Sequence, residues 1–235
     1  MDNKEATLQL GTQPVGKLLL QYAMPAIVAM MAASLYNIVD SVFIGQRVGP
    51  MAISGLAITF PFMNLASAFG AAVGVGASTL ISVKLGQKDY KTAENILGNT
   101  VSSNLIIGIG FSIVSLLFLN PILRFFGASD ATLPYARDYM LIILGGNVFS
   151  HMYFGMNAVL RAASKPRQAM YATIFTVAMN TLLDYIFIVE FGWGIQGAAY
   201  ATILAQVMAL IWQLHIFSNK KELLHFQRGT YRLRK

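Results

Sequence analysis

Charge-free runs constrain this chain more than any other feature. No Asp, Glu, Lys or Arg occurs between Lys17 and Asp40, and none between Arg47 and Lys84. Further runs cover residues 95–123, 139–160 and 191–219, and another, 168–189, is broken only by Asp184. A bilayer core about 30 Å thick takes roughly 20 apolar residues in a helix that rises about 1.5 Å per residue. The pattern therefore predicts an all-α membrane protein, a bundle of six transmembrane helices. The expected spans are about 18–45, 52–84, 94–120, 132–160, 168–190 and 195–218. The second run leaves no room for a turn between two spans, so it reads as one long helix, tilted or kinked near Pro61. With 56% hydrophobic and only 11% charged residues, a soluble domain is excluded.

The net charge of +7 does not point to nucleic acid once its distribution is considered. Six spans put Lys4, Lys17, Lys84, Lys88, Lys91, Arg161, Lys165 and Arg167 on the same side as Lys220, Lys221, Arg228, Arg232, Arg234 and Lys235. Only Arg47, Arg124 and Arg137 fall on the other side. Fourteen against three is the asymmetry of cytoplasmic loops, and it predicts a multi-pass protein of a bacterial-type inner membrane with both termini in the cytoplasm. There is no cysteine, so disulfide and thiolate chemistry are absent. Residues 1–17 are mixed polar and the first run is long enough to span, so no cleavable signal is expected.

The connections are short. Gly86 in "LGQKDYKTAEN" is the expected left-handed end of the second helix, and Ser129 or Asp130 the expected N-cap of the fourth, with Pro134 in its first turns. "GWGIQG" reads as an external glycine-rich turn. The basic tail, residues 220–235, reads as a flank lying along anionic headgroups, or as a linker to further protein. No loop is long enough to hold a soluble domain, so function must lie within the bundle. Gly70, Gly74 and Gly76 read as a helix-packing device. His151 reads as a polar group bonded between helices.

Enzyme signatures are missing: there is no nucleophile elbow, no H-E-x-x-H and no phosphate loop. Two carboxylates within the spans are the unusual groups, because charge at mid-bilayer is costly unless it faces a bundle interior or a wet cavity. In "SLYNIVDSVFIG", Tyr36, Asn37 and Asp40 share one side of the first helix. In "NTLLDYIFI", Asn180 and Asp184 are one turn apart on the fifth. Such oxygen-rich faces suit a hard cation or a shared proton. Either carboxylate would also find water if it lay at the end of its span. Pro25 removes a backbone donor from the first helix and is a candidate kink.

Five stretches in order, "AMPAIVAMMAASLYNIVDSVFIG", the second span ending in "SVKLGQKDYKTAE", "NAVLRAASKP", "NTLLDYIFI" and "GIQGAAYATILAQ", resemble the multidrug and toxin extrusion (MATE) family of cation-coupled exporters. The resemblance covers nearly the whole chain. It implies one lobe of a two-lobe, pseudo-symmetric transporter that exports organic cations and amphipathic drugs in exchange for sodium ions or protons. It implies a coupling site at Asp40, Asn157, Asn180, Asp184 and Thr202, with sodium held by Asn157, Asn180, Asp184 and Thr202. Tyr36, Asn37 and Pro25 are the implied supporting residues. No cofactor is implied beyond the coupling ion. The implied partners are small amphipathic or cationic substrates, the lipid bilayer and a second lobe, with no nucleic acid. The chain departs from the family at Ser164, where a glycine is usual, and in ending after one lobe. A flippase for lipid-linked saccharides and a non-transporting fragment remain open. The first needs a basic central groove, for which no Lys or Arg is expected inside a span.

Overall fold

The computed structural model describes residues 14–219 and 222–226. Among the described residues seven helices follow in order: α1 (Val15–Arg47), α2 (Pro50–Gly86), α3 (Tyr90–Leu117), α4 (Leu119–Phe125), α5 (Leu133–Ala162), α6 (Pro166–Asp184) and α7 (Gly194–Ser218). A π-helical turn, Tyr185–Glu190, extends α6. Five helices are long and apolar enough to cross a membrane: α1, α2, α3, α6 with its π turn, and α7. The sixth membrane-length helix, α5, is the least shielded by its own composition and the most shielded by its neighbours. It packs against α2, α3 and α7, and its buried positions occur on every side, Ala136, Tyr139, Asn147, His151 and Asn157 among them. A helix walled in by others needs no lipid-facing apolar belt, which is why α5 carries more polar residues than its neighbours.

The third span differs most from expectation. It ends at Leu117, and α4 is a separate short helix. The cause is Pro121, whose ring lacks an N–H and clashes with the carbonyl four residues back, that of Leu117. Pro25 and Pro61 lie inside uninterrupted helices. The left-handed residue after α2 is Lys88, with φ 60°, and Gly86 is the last helical residue. The end of α5 uses the same closure: Ser164 has φ 60°, and the Lys165 N–H bonds the Leu160 carbonyl at 2.9 Å. That left-handed position is what makes glycine the favoured residue there. Before α5, the N-cap position belongs to Thr132, not to Ser129 or Asp130. Ser129 and Thr132 close a turn by reciprocal bonds of 3.0 and 3.3 Å, and Asp130 pairs with Arg124 at 2.7 Å.

Two apolar clusters form the core. One gathers Ile44, Leu56, Leu123, Met140, Ile188 and Ala198, and the other Ile81, Leu97, Met156, Leu160, Phe217 and Leu224. The second takes in part of the tail. Residues 222–226 fold back on the bundle: Leu224 is buried, the Phe226 N–H bonds the Phe217 carbonyl at 2.9 Å, and His225 meets Glu94 at 3.1 Å. Glu222 pairs with Lys165. The basic residues from Arg228 onward lie outside the described residues.

The glycines of α2 differ in role. A Cβ on Gly70 would sit 3.0 Å from the His151 backbone, and one on Gly74 2.7 Å from Gly155 Cα. One on Gly76 would meet nothing within 4 Å. Two of the three glycines therefore set the approach of α2 to α5. His151 is fully buried at this crossing, its ring 6.1 Å from that of Phe111.

Candidate functional site

Asp184 is fully buried and Asp40 is 3% exposed, which removes the alternative that either simply reaches water at the end of its helix. They belong to α6 and α1, which pack along each other, and each acts electrostatically within one shared cluster. Asn180 joins this cluster to α7. With its amide oriented to satisfy both ends, it donates to Asp184 Oδ2 at 3.0 Å and accepts from the Thr202 N–H at 3.2 Å. The Tyr36 hydroxyl lies 3.0 Å from Thr202 Oγ1, which brings α1 to the same point. Pro25 is buried in α1, about four turns before Asp40. The side chain of Asn37 lies outside the described residues.

Tyr139 is a member that sequence reasoning missed. It projects from α5, is 1% exposed, and lies within electrostatic reach of Tyr36, Asp40, Asp184 and Thr202. A tyrosine in an apolar run looks like packing. The available signal was its place in the most polar span, and pattern alone does not separate the two roles. Four helices thus contribute to this cluster.

Two oxygens are left over. Oδ1 of Asp40 and Oδ1 of Asp184 are buried with no hydrogen-bond partner among the described residues. Buried acceptors are normally satisfied, and an unpaired carboxylate in a low-dielectric interior is costlier still. These two oxygens are free acceptors, and a proton or a sodium ion would each fit their chemistry. The π turn begins immediately after Asp184, where the Phe191 N–H reaches back to the Ile186 carbonyl at 2.9 Å. π segments are rare and concentrate at functional sites. Here α7 approaches the turn through Gly197, whose Cβ would lie 3.1 Å from the Phe187 carbonyl carbon.

A cavity of about 360 Å³ opens beside this cluster. Tyr36, Asn180 and Thr202 form one part of its wall. Its other polar contributors include Asn147, Ser150, Gln206, Tyr153, Asn157 and Arg161, set among Phe60, Met63 and Phe154. Ser150 donates to Gln206, tying α5 to α7, and Asn147 donates to Ser112 at 3.4 Å, tying α5 to α3.

Asn157 stands apart from the other expected ligands. Its amide donates to the Ala169 carbonyl at 3.1 Å and to Thr173 Oγ1 at 3.4 Å, and it accepts from Arg161. Thr173 precedes Asp184 by eleven residues on α6, or about 16 Å of helix. The structure therefore separates Asn157 from Asn180, Asp184 and Thr202, and the four do not form one coordination shell in this conformation. Arg161 also departs from expectation. It is the penultimate residue of α5 and lines the cavity, so one guanidinium does enter the bundle.

The family model MatE matches residues 25–186, more than two thirds of the chain, and spans Asp40, Asn157, Asn180 and Asp184. The chain belongs to the MatE family. Among curated proteins, this MatE chain is 30% identical over 210 residues to the multidrug export protein MepA of Staphylococcus haemolyticus (strain JCSC1435), covering 89% of the chain and 46% of that protein. It is 26% identical to MepA of Staphylococcus aureus (strain NCTC 8325 / PS 47), covering 90% of the chain and 47% of the relative. An outward-facing structure of a multidrug resistance MATE family transporter superposes with a TM-score of 0.85 at 25% identity, over the whole chain and 49% of that structure. This MatE chain spans about half the length of the relatives it matches, which fits an N-terminal lobe of the family fold.

Proposed function

We propose that this chain is the N-terminal lobe of a secondary transporter that exports organic cations and amphipathic drugs in exchange for sodium ions or protons. The observation that carries the reading is the pair of buried carboxylates, Asp40 and Asp184, each with an unpartnered oxygen, beside a cavity lined by apolar, aromatic and amide side chains. The roles follow from position. Asp184 and Asp40 take up the coupling cation, and Asn180 and Thr202 supply further oxygens. Tyr36 and Tyr139 tie the state of the carboxylates to α1 and α5. Asn157, held at the far end of the cavity, acts in another part of the cycle. Pro25 leaves α1 one backbone donor short, and α1 is the helix whose shape a change of charge at Asp40 would alter first.

Members of the family are transporters, and no enzymatic role is proposed for this chain. Its place is a bacterial-type inner membrane with both termini in the cytoplasm, a reading supported by the distribution of Lys and Arg. Alternating access needs a second lobe to rock against the first around a shared cavity. Its source would be the same parent chain or a second lobe in trans, its own copy or a separate protein, with residues 220–235 as the start of an interlobe linker in the first case.

The test is dye efflux by everted vesicles carrying the complete two-lobe transporter. Asp184→Asn is expected to abolish efflux, and in the wild type either a pH gradient or a sodium gradient, applied singly, is expected to drive it. Unchanged efflux by Asp184→Asn would sink the assignment.

A further inference from the structure

Arg161 is the one basic side chain on the cavity wall among the described residues. It stands on the last turn of α5 and donates to Asn157 Oδ1, a neutral acceptor. None of the ion pairs among the described residues includes it. A guanidinium presents five N–H donors in a planar fork suited to a carboxylate, and a single amide oxygen uses only a small part of that capacity. The side chain is exposed and lines the cavity, and only its bond to Asn157 engages the fork. Around it stand the aromatic Tyr153 and the hydroxyls of Thr173 and Thr176, all three also on the wall.

The cavity is therefore polarised. Asn180 and Thr202 mark the end next to the two buried carboxylates, and Arg161 with Asn157 marks the other. Asn180 and Thr173 are seven residues apart on α6, which separates the two ends by roughly 10 Å. Apolar and aromatic side chains lie between them, and low-dielectric walls focus the opposite fields at each end.

From this geometry we propose that Arg161 is a specificity-determining residue that pairs with a carboxylate on the transported molecule, so that the cavity favours zwitterionic amphiphiles over simple cations. The proposal rests on the reading of the cavity as a binding site for organic cations and names a substrate class within it. It places the cationic part of the ligand toward Asp40 and Asp184 and its carboxylate on the guanidinium.

Two dyes test it directly. Rhodamine 110 carries a free carboxylate on a cationic xanthene, and rhodamine 123 is its methyl ester, so the pair differs only in the group assigned to Arg161. Binding to the full chain in phosphatidylcholine nanodiscs is followed by fluorescence anisotropy. The wild type is expected to bind rhodamine 110 roughly tenfold more tightly, the scale of a hydrogen-bonded charged contact. In Arg161→Gln that ratio falls to about one, and Arg161→Lys keeps part of it, because the charge remains and the fork is lost. The wild-type ratio needs no variant and stands if the substitution fails to fold. Binding of rhodamine 123 with a wild-type ratio near one, or a ratio retained in Arg161→Gln, overturns the proposal alone. If neither dye binds, the reading of the cavity fails and the proposal with it. Replacing zwitterionic phosphatidylcholine by anionic phosphatidylglycerol tests the other source of anionic oxygens. If that change erases the preference, an anionic lipid headgroup competes for Arg161 and the substrate assignment is wrong.

Discussion

The crossing of α2 and α5 offers a clean test of how the bundle is held together. A Cβ added at Gly74 would lie 2.7 Å from Gly155 Cα and 3.2 Å from both the Gly155 carbonyl oxygen and Ala158 Cβ. Non-bonded carbons settle at about 3.5–4.0 Å, so Gly74→Ala forces the two helices apart by about 1 Å. The nearest atom is backbone, which cannot swing aside as a flexible side chain would. Overpacking of this kind costs about 1–3 kcal/mol. The same substitution at Gly76 meets nothing within 4 Å. Both positions lie inside α2, so the gain in helix propensity of about 1 kcal/mol from replacing glycine is common to both and cancels in the comparison. Gly74→Ala is thus expected to be less stable than Gly76→Ala by about 2 kcal/mol. Reversible unfolding of each variant in mixed micelles, titrated with sodium dodecyl sulfate, measures the difference. Two variants within about 0.5 kcal/mol of each other, the scatter of inert substitutions, would refute the close crossing.

Ser164→Gly should stabilise the chain by about 1 kcal/mol in the same assay, because serine is held at φ 60° where glycine is unstrained. Leu224→Ala should cost about 2 kcal/mol or more, since Leu224 is 3% exposed; a residue lying on lipid headgroups would show almost no loss. Hydrogen bonds from Thr92, side chain and backbone, hold the Asp89 carboxyl below the usual carboxylate range at the start of α3. A lowered folded value stabilises fully above the unfolded value of about 3.9 and is lost as pH falls through the folded one. Protection of the first-turn amides of α3 should therefore persist above that pH and decline below it, while Asp89→Ala should lack it throughout.

Much of the architecture is legible in the sequence because the bilayer imposes it. A membrane-spanning helix must satisfy its own backbone and hide its charges, so charge-free runs reveal where helices lie. The exceptions have local causes. Pro121 acts on Leu117, four residues away, and separates α4 from the third span. Lys88 and Ser164 take left-handed conformations that composition assigns to glycine. Contacts between helices are harder to see. The glycine pattern of α2 is visible in one dimension, yet which glycines face α5 depends on the rotation of both helices.

The site divides along the same line. The i, i+4 spacing of Asn180 and Asp184 predicts their shared face, and Asn180 does reach Asp184. Tyr139 comes from a helix far away in sequence, and only packing brings it into the field of Asp40 and Asp184. Asn157 and Arg161 are nearer each other than either is to the Asp184 cluster, and no spacing rule discloses that. The π turn after Asp184 changes the helical register there without any Gly or Pro to announce it.

The central claim is that the Asp40 and Asp184 pair links cation uptake to the state of the cavity. Rhodamine 123 binding to the purified chain, measured across pH and across sodium concentration, tests it most directly. Protons or sodium ions should release the dye from the wild type, and Asp184→Asn, which removes one carboxylate of the pair, should respond far less to either. Release from Asp184→Asn at the same pH and sodium concentration as from the wild type would contradict the account.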